Sequence, residues 1–281
     1  FCMRKIETGL IYETLYNIIR RSVCNVEPGV VEALSSAVCA ESCEAAKFAL
    51  RTIIESDNIA AKEDIPACQD TGMAVIFADI GQEVCLEGEY FEKVINDAVR
   101  DAYRDGYFRC SVLTPLERIN TGDNTPAIIH TRIVPGDRLT LSFLAKGFGS
   151  ENMSRLYMLT PAQGIEGIKE KVKETVKEAG GKPCPPIILG IGIGGTMEQC
   201  ALMAKRALLT EQGKRNPDPK IATLETELLQ IINSLKIGAM GFGGDVTALD
   251  VHILTCPTHI ASLPLAVNVQ CHSVRHSRIT I

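Results

Sequence analysis

The stretch from Ile187 to Leu209 does most to limit what this chain can fold into. Ile187 to Ile193 is an apolar run of strand length, it enters Gly194-Gly195-Thr196, and Met197 to Leu209 then takes up helical spacing. A wholly apolar strand belongs inside a sheet, and a glycine turn opening directly into a helix is the signature of a layered α/β unit. The same alternation runs through the chain. Met73 to Ile80 and Leu139 to Ala145 read as strands, and Phe91 to Tyr103 as a helix. Glu166 to Glu178 is a charged helix stopped by Gly180-Gly181, Ile221 to Leu235 a further helical pattern, and Leu249 to Leu254 a strand.

The first sixty residues have a different texture. Ile6, Leu10, Ile11, Leu15, Ile18 and Ile19 recur at helical spacing, and Pro28 can open a second helix through Leu34, Val38 and Ala45 towards Ile53. The expected fold class is therefore α/β: a helical N-terminal segment over residues 1–60, then a mixed α/β core over 61–281 that carries the site loops.

Composition removes several function classes. The net charge of -5 argues against nucleic acid as a partner, because phosphate binding needs a basic surface. The one basic cluster, Arg275 to Arg278, reads as a solvated tail. No apolar run reaches the roughly 18 residues of a membrane span, and the start lacks the apolar segment of a signal peptide. The expectation is a cytoplasmic protein. Eleven cysteines, an odd count without paired spacing, fit a reducing compartment. Cys39 and Cys43 share a helical face and read as buried apolar residues; Cys2, Cys24, Cys85, Cys110 and Cys200 read likewise as packing.

Three other cysteines sit in special settings. Cys68 is followed by Gln69-Asp70-Thr71-Gly72, Cys184 lies in Lys182-Pro183-Cys184-Pro185-Pro186, and Cys271 in Val269-Gln270-Cys271-His272. No two are close in sequence, so any shared site must be assembled by the fold. Gly190-Ile191-Gly192-Ile193-Gly194-Gly195 matches a dinucleotide fingerprint, yet the strand that should follow its helix is replaced by a polar loop around Lys214. Asn120 to Ala127 and Lys146 to Asn152 also have the look of site loops, Lys146 pointing to an anion.

Taken in order, these motifs resemble the alpha subunit, or N-terminal part, of the iron-sulfur hydro-lyases that include class I fumarases and L-tartrate dehydratases. The residues that carry the likeness are Cys68 to Gly72, Asn120 to Asn124, Lys146 to Ser150, Pro183-Cys184-Pro185, Gly190 to Thr196, and Ser262-Leu263-Pro264 through Cys271, so it spans about Ala60 to Cys271. The resemblance implies that Cys68, Cys184 and Cys271 hold a 4Fe-4S cluster with one iron open to substrate, with Cys256 as the rival third ligand.

It further implies that Gln69 and Asp70 contact substrate, that Asp70 handles a proton, that Arg109 holds a carboxylate, and that the backbone of Gly149 approaches the substrate. His259, a structural histidine on sequence alone, matches a histidine that pairs with that aspartate. The stretch between Ser111 and Asn120 is shorter than in single-chain fumarases. The implied substrate is a small dicarboxylate, fumarate or malate ahead of tartrate. Single-chain relatives continue into a domain that supplies the catalytic base; with Ile281 last here, the resemblance implies a separate beta subunit and a hetero-oligomer. A nicotinamide oxidoreductase and a zinc-binding scaffold are the readings from other classes, tested by binding of reduced cofactor and by the colour of anaerobic protein.

Overall fold

A computed structural model of the protein describes residues 3–281; Cys2, assigned above to packing, lies outside them. In chain order the elements are β1 Arg4–Glu7, α1 Thr8–Cys24, α2 Pro28–Ala40, α3 Glu44–Glu63, β2 Met73–Gly81, β3 Val84–Glu87, α4 Phe91–Asp105, β4 Ile128–Val134 and β5 Leu139–Lys146. They continue with α5 Phe148–Glu151, β6 Arg155–Leu159, α6 Gly164–Ala179, β7 Ile187–Gly194, α7 Met197–Ala207, α8 Pro219–Asn233, β8 Ala248–Cys256, β9 Leu263–Gln270 and β10 His276–Thr280. The fold is α/β, as the alternation of patterns predicts. Among the described residues no helix is long and apolar enough to cross a membrane.

Two compact units are built from interleaved segments. The first takes the described residues up to Glu27, then Asp57–Gly147 and Arg275–Ile281; the second takes Pro28–Ser56 and Phe148–Val274. The helical segment over 1–60 is thus not a unit of its own. α1 belongs to the first unit, and α2 with most of α3 to the second.

The first unit is a four-stranded sheet ordered β10-β5-β2-β4, with β2 parallel to β4 and antiparallel to β5, and β10 antiparallel to β5. Ile11, Leu15 and Ile19 of α1 and Ile95, Ala98 and Ala102 of α4 are fully buried in one core with Ile76, Leu141 and Phe143 of the sheet. Of the periodic residues in α1, Leu10 stays 46% exposed, and Ile6 leaves the helix to join β1, which pairs with β3. The second unit has a sheet ordered β6-β9-β7-β8, in which β7 runs parallel to β8 and antiparallel to β9. Its core gathers Val172 and Val176 of α6, Leu228 and Ile232 of α8, and the apolar residues of β7, β8 and β9.

The glycines of β7 have a packing role. A Cβ on Gly190 would lie 2.1 Å from the Ala204 carbonyl oxygen, and one on Gly192 would lie 2.1 Å from that of Cys200. Both carbonyls belong to α7, so the bare strand lets the helix press onto the sheet. Gly192→Ala must push backbone against backbone. It should lower unfolding free energy by about 1–3 kcal/mol or more, the range of overpacking changes, as measured by chemical denaturation of the chain.

The second predicted helix is divided. The chain leaves helix at Glu41-Ser42-Cys43, where the buried Glu41 carboxylate accepts hydrogen bonds from the amides of Cys43 at 2.9 Å, Asp245 at 2.8 Å and Val246 at 3.1 Å. Gly244 must be glycine there, since a Cβ would meet the carboxylate at 2.5 Å. The break also takes Cys43 off the helical face it was expected to share with Cys39, and Cys39 is exposed, so neither is a buried packing residue. Burial alone would raise the Glu41 carboxyl, but the three amides outweigh it and hold it below its ordinary 4.5. A depressed folded value means the stabilisation is present above pH 4.5 and lost as pH falls below it. Glu41→Gln should therefore cost about 1–3 kcal/mol at neutral pH, the worth of hydrogen bonds to a charged group. The difference from wild type should shrink in denaturation curves run towards pH 3.

Candidate functional site

In the first unit the strand directions bring the motif loops to one end of the sheet. Cys68 to Gly72 precede β2, Asn120 to Pro126 precede the parallel β4, Lys146-Gly147 close the antiparallel β5, and Arg275 precedes β10. Cys68 and Asp70 are half-buried, and Gln69 and Arg109 are exposed. The Asp70 turn is fixed locally. Its Oδ1 accepts from the Gly72 amide at 3.0 Å, and Gly72 has φ +76 and a Cβ position 2.8 Å from the Lys146 backbone, so glycine is required on two counts.

Further bonds tie the neighbouring loop to this turn. Thr71 Oγ1 donates to the Arg109 carbonyl at 2.8 Å, and the fully buried Asn124 donates to the Gly72 carbonyl at 3.1 Å while accepting from the Ser111 amide at 2.7 Å. Arg109 is thereby anchored by its backbone although the residue is exposed. Tyr103, wholly buried, donates to the Thr71 carbonyl at 2.8 Å.

The second unit repeats the arrangement. At one end of its sheet lie Cys184, just before β7; Cys271, just after β9; the α5 turn with Gly149, ahead of β6; and the Gly238 to Asp245 loop, ahead of β8. The pairing of Ile188 with Gln270 brings Cys271 to the same end of the sheet as Cys184. A Cβ on Gly149 would lie 3.8 Å from the Lys182 carbonyl, so Gly149 sits against the Cys184 loop, and the Met240 amide donates to Pro185 at 2.7 Å. Cys184 has φ 54, a left-handed conformation that costs a non-glycine residue energy and that the surrounding loop must enforce. The Gln270 side-chain amide donates to the Cys271 sulfur at 3.6 Å.

Cys256 and His259 lie elsewhere. Cys256 ends β8 opposite Gly194, and His259 is in the exposed loop that leads into β9, so both occupy the far end of this sheet. The eight residues of β7 separate the two ends, about 25 Å at roughly 3.3 Å per residue. Cys256 cannot share a cluster with Cys184 and Cys271 of the same chain, which removes it as the rival third ligand. His259 Nδ1 accepts from the Ala261 amide at 3.2 Å.

The thiols divide in the same way. Cys24 and Cys200 are buried, and burial pushes both up to about 11, as suits inert packing residues. Cys68, Cys184 and Cys271 are each half-buried thiols at loop-rich sheet ends, the kind of donor that an iron-sulfur cluster takes. Among the described residues no three His, Cys, Asp or Glu side chains gather as they would around one ion. A cluster is bound differently, one thiolate to each of several irons, so its sulfurs stand further apart than the ligands of a single zinc.

Reading the sequence alone missed Arg275. Taken there for part of a solvated tail, it is 0% exposed, and its backbone carbonyl accepts from the Ala145 amide at 2.9 Å. No local pattern marks it, because His276 to Thr280, which makes β10 and draws the preceding residue inside, is largely polar.

The chain is similar to known proteins over most of its length. The model of the family described as fumarate hydratase (Fumerase) matches residues 12–280. A Methanocaldococcus jannaschii protein named "Putative L(+)-tartrate dehydratase subunit alpha" is 44% identical over 273 residues, covering 95% of this chain and 96% of its own length. The L(+)-tartrate dehydratase subunit alpha of Escherichia coli K12 is 29% identical over 256 residues, covering 90% of this chain and 84% of its own, and the Shigella sonnei protein of that name gives the same figures.

Proposed function

The chain belongs to the fumarate hydratase family, and from that premise we propose that it is the alpha subunit of a hydro-lyase that adds or removes water across a dicarboxylate, using a 4Fe-4S cluster held by Cys68, Cys184 and Cys271. The observation that carries this is the convergence of Cys184, Cys271 and Gly149 at one end of the second unit's sheet. The relatives' names move the first choice of substrate from fumarate or malate to L-tartrate, and they supply the argument for a beta subunit.

Cys68, Cys184 and Cys271 would hold the cluster, which would supply an iron without a thiolate as a Lewis acid towards hydroxyl and carboxylate oxygens. The protein's own groups divide the remaining work. Arg109, exposed but anchored at its carbonyl, clamps one substrate carboxylate, while the Gln69 amide and the Gly149 backbone orient the rest. Asp70, whose Oδ1 accepts from the Gly72 amide, carries the proton. His259 lies at the far end of the second unit's sheet from Cys184 and Cys271, and in this proposal its pairing with Asp70 is made from a second copy of the chain.

The test is to co-express the chain with its beta subunit, load iron and sulfide without oxygen, and assay L-tartrate, L-malate and fumarate. Turnover of L-tartrate well above the other two is the expected result, and equal turnover of fumarate would return the first choice to fumarase. For His259, mixing an inactive Asp70→Asn enzyme with an inactive His259→Asn enzyme should recover activity as copies exchange; no recovery after exchange would remove the histidine from the site.

A further inference from the structure

We propose that Arg275 is a positioning residue that holds the Asp70 carboxylate in its proton-carrying orientation, with Gly147 as the gap through which the two approach. The geometry is local to the first unit. From the point where a Cβ on Gly147 would stand, Asp70 Oδ2 is 3.2 Å away and Arg275 Nη2 is 3.6 Å away, so carboxylate and guanidinium face the same bare backbone. Asp70 Oδ1 is already taken by the Gly72 amide, which turns Oδ2 towards this gap.

Burial makes the placement costly unless the charge is used. Arg275 is fully buried, and an arginine taken out of water needs an anion beside it. Asp57 feels its charge: desolvation pushes that carboxyl up to about 7, with Arg275 drawing it back down. Asp70 lies close as well: the Tyr103 phenol, raised mainly by burial, is lowered by Arg275 and raised by Asp70, which places both charges near one ring. The planar guanidinium also fixes a carboxylate's orientation in a way that a lysine ammonium does not.

The inference rests on the reading of Asp70 as the proton carrier, and a double-mutant cycle separates the two. The assembled, cluster-loaded enzyme is assayed with L-tartrate and fumarate as wild type, Arg275→Met, Asp70→Asn and the double variant, with iron-to-protein ratio and unfolding midpoint measured on each. Arg275→Met should lower kcat about 10- to 100-fold, the scale of a misplaced catalytic group, with KM moving less than about threefold. In the Asp70→Asn background the same change should cost less than about threefold. Arg275→Lys should recover part of the loss, and Gly147→Ala, which inserts a methyl against Oδ2, should reproduce it with Arg275 intact.

An equal fold-loss from Arg275→Met in both backgrounds overturns the proposal, as does a rise in KM at constant kcat, which would make Arg275 a substrate ligand. If Arg275→Met does not assemble, the cycle is run with Arg275→Lys and Gly147→Ala under the same criteria. Full turnover by Asp70→Asn alone would instead sink the acid-base reading, and this inference with it.

Discussion

Serine at Cys184 or Cys271 will leave the reconstituted chain with little of its iron, whereas Cys256→Ser will bind as much as wild type. The two proposed ligand cysteines are brought to one sheet end by register: β7 and β9 run antiparallel with Ile188 opposite Gln270, so the residue after β9 arrives at the end where the loop before β7 lies. Serine is nearly isosteric but its hydroxyl is not ionised at neutral pH, so each change removes one anionic ligand without opening a cavity. The left-handed backbone at Cys184 adds to the contrast, since a loop that enforces φ 54 on a non-glycine residue holds its side chain in one direction.

Cys68→Ser should lose iron to the same degree, if the proposed three-cysteine ligand set holds. Cys200→Ser is a control for packing, because that thiol is buried against Gly192 and its loss should move stability rather than iron. Iron and sulfide are counted after anaerobic reconstitution, alongside the visible absorbance of the cluster. Retention of full iron by Cys271→Ser would end the three-cysteine assignment.

What could be read from sequence followed the range of the interactions. α1, α4, β2, β5 and β7 announce themselves because their apolar periodicity is local, and the observed cores use those residues. β9 does not, because Pro264 interrupts the run and a proline cannot donate to a ladder; it is tolerated where Met158 of β6 pairs with it. β10 is five residues and largely polar, so Arg275 looked like the start of a tail. Glu41 could not be foreseen, since its three donors are its own loop and a glycine turn some two hundred residues away in sequence. The candidate loops could be named individually. That four of them share one end of a sheet in each unit depends on strand direction and register, which no local pattern encodes.

Asp70→Asn should lower turnover by about 10²- to 10⁴-fold, the range for a lost general acid-base group, with iron content unchanged. The substitution is chosen for what it keeps. An asparagine carbonyl oxygen can still accept from the Gly72 amide at the Oδ1 position, so the turn that sets Cys68 apart from β2 should stand. What disappears is the ionisable oxygen, Oδ2, on the side that faces Gly147 and Arg275. A group that only bound substrate would raise KM and leave kcat; one that carries the proton lowers kcat and kcat/KM together. Asn124 and Tyr103 hold the Thr71 and Gly72 carbonyls from beneath, so the loop has support that does not depend on the Asp70 charge. The measurement is steady-state kinetics on the assembled enzyme beside an iron count. Wild-type kcat with iron retained would reduce Asp70 to a structural neighbour of Cys68, and loss of iron along with turnover would make it part of the cluster's support rather than of the proton path.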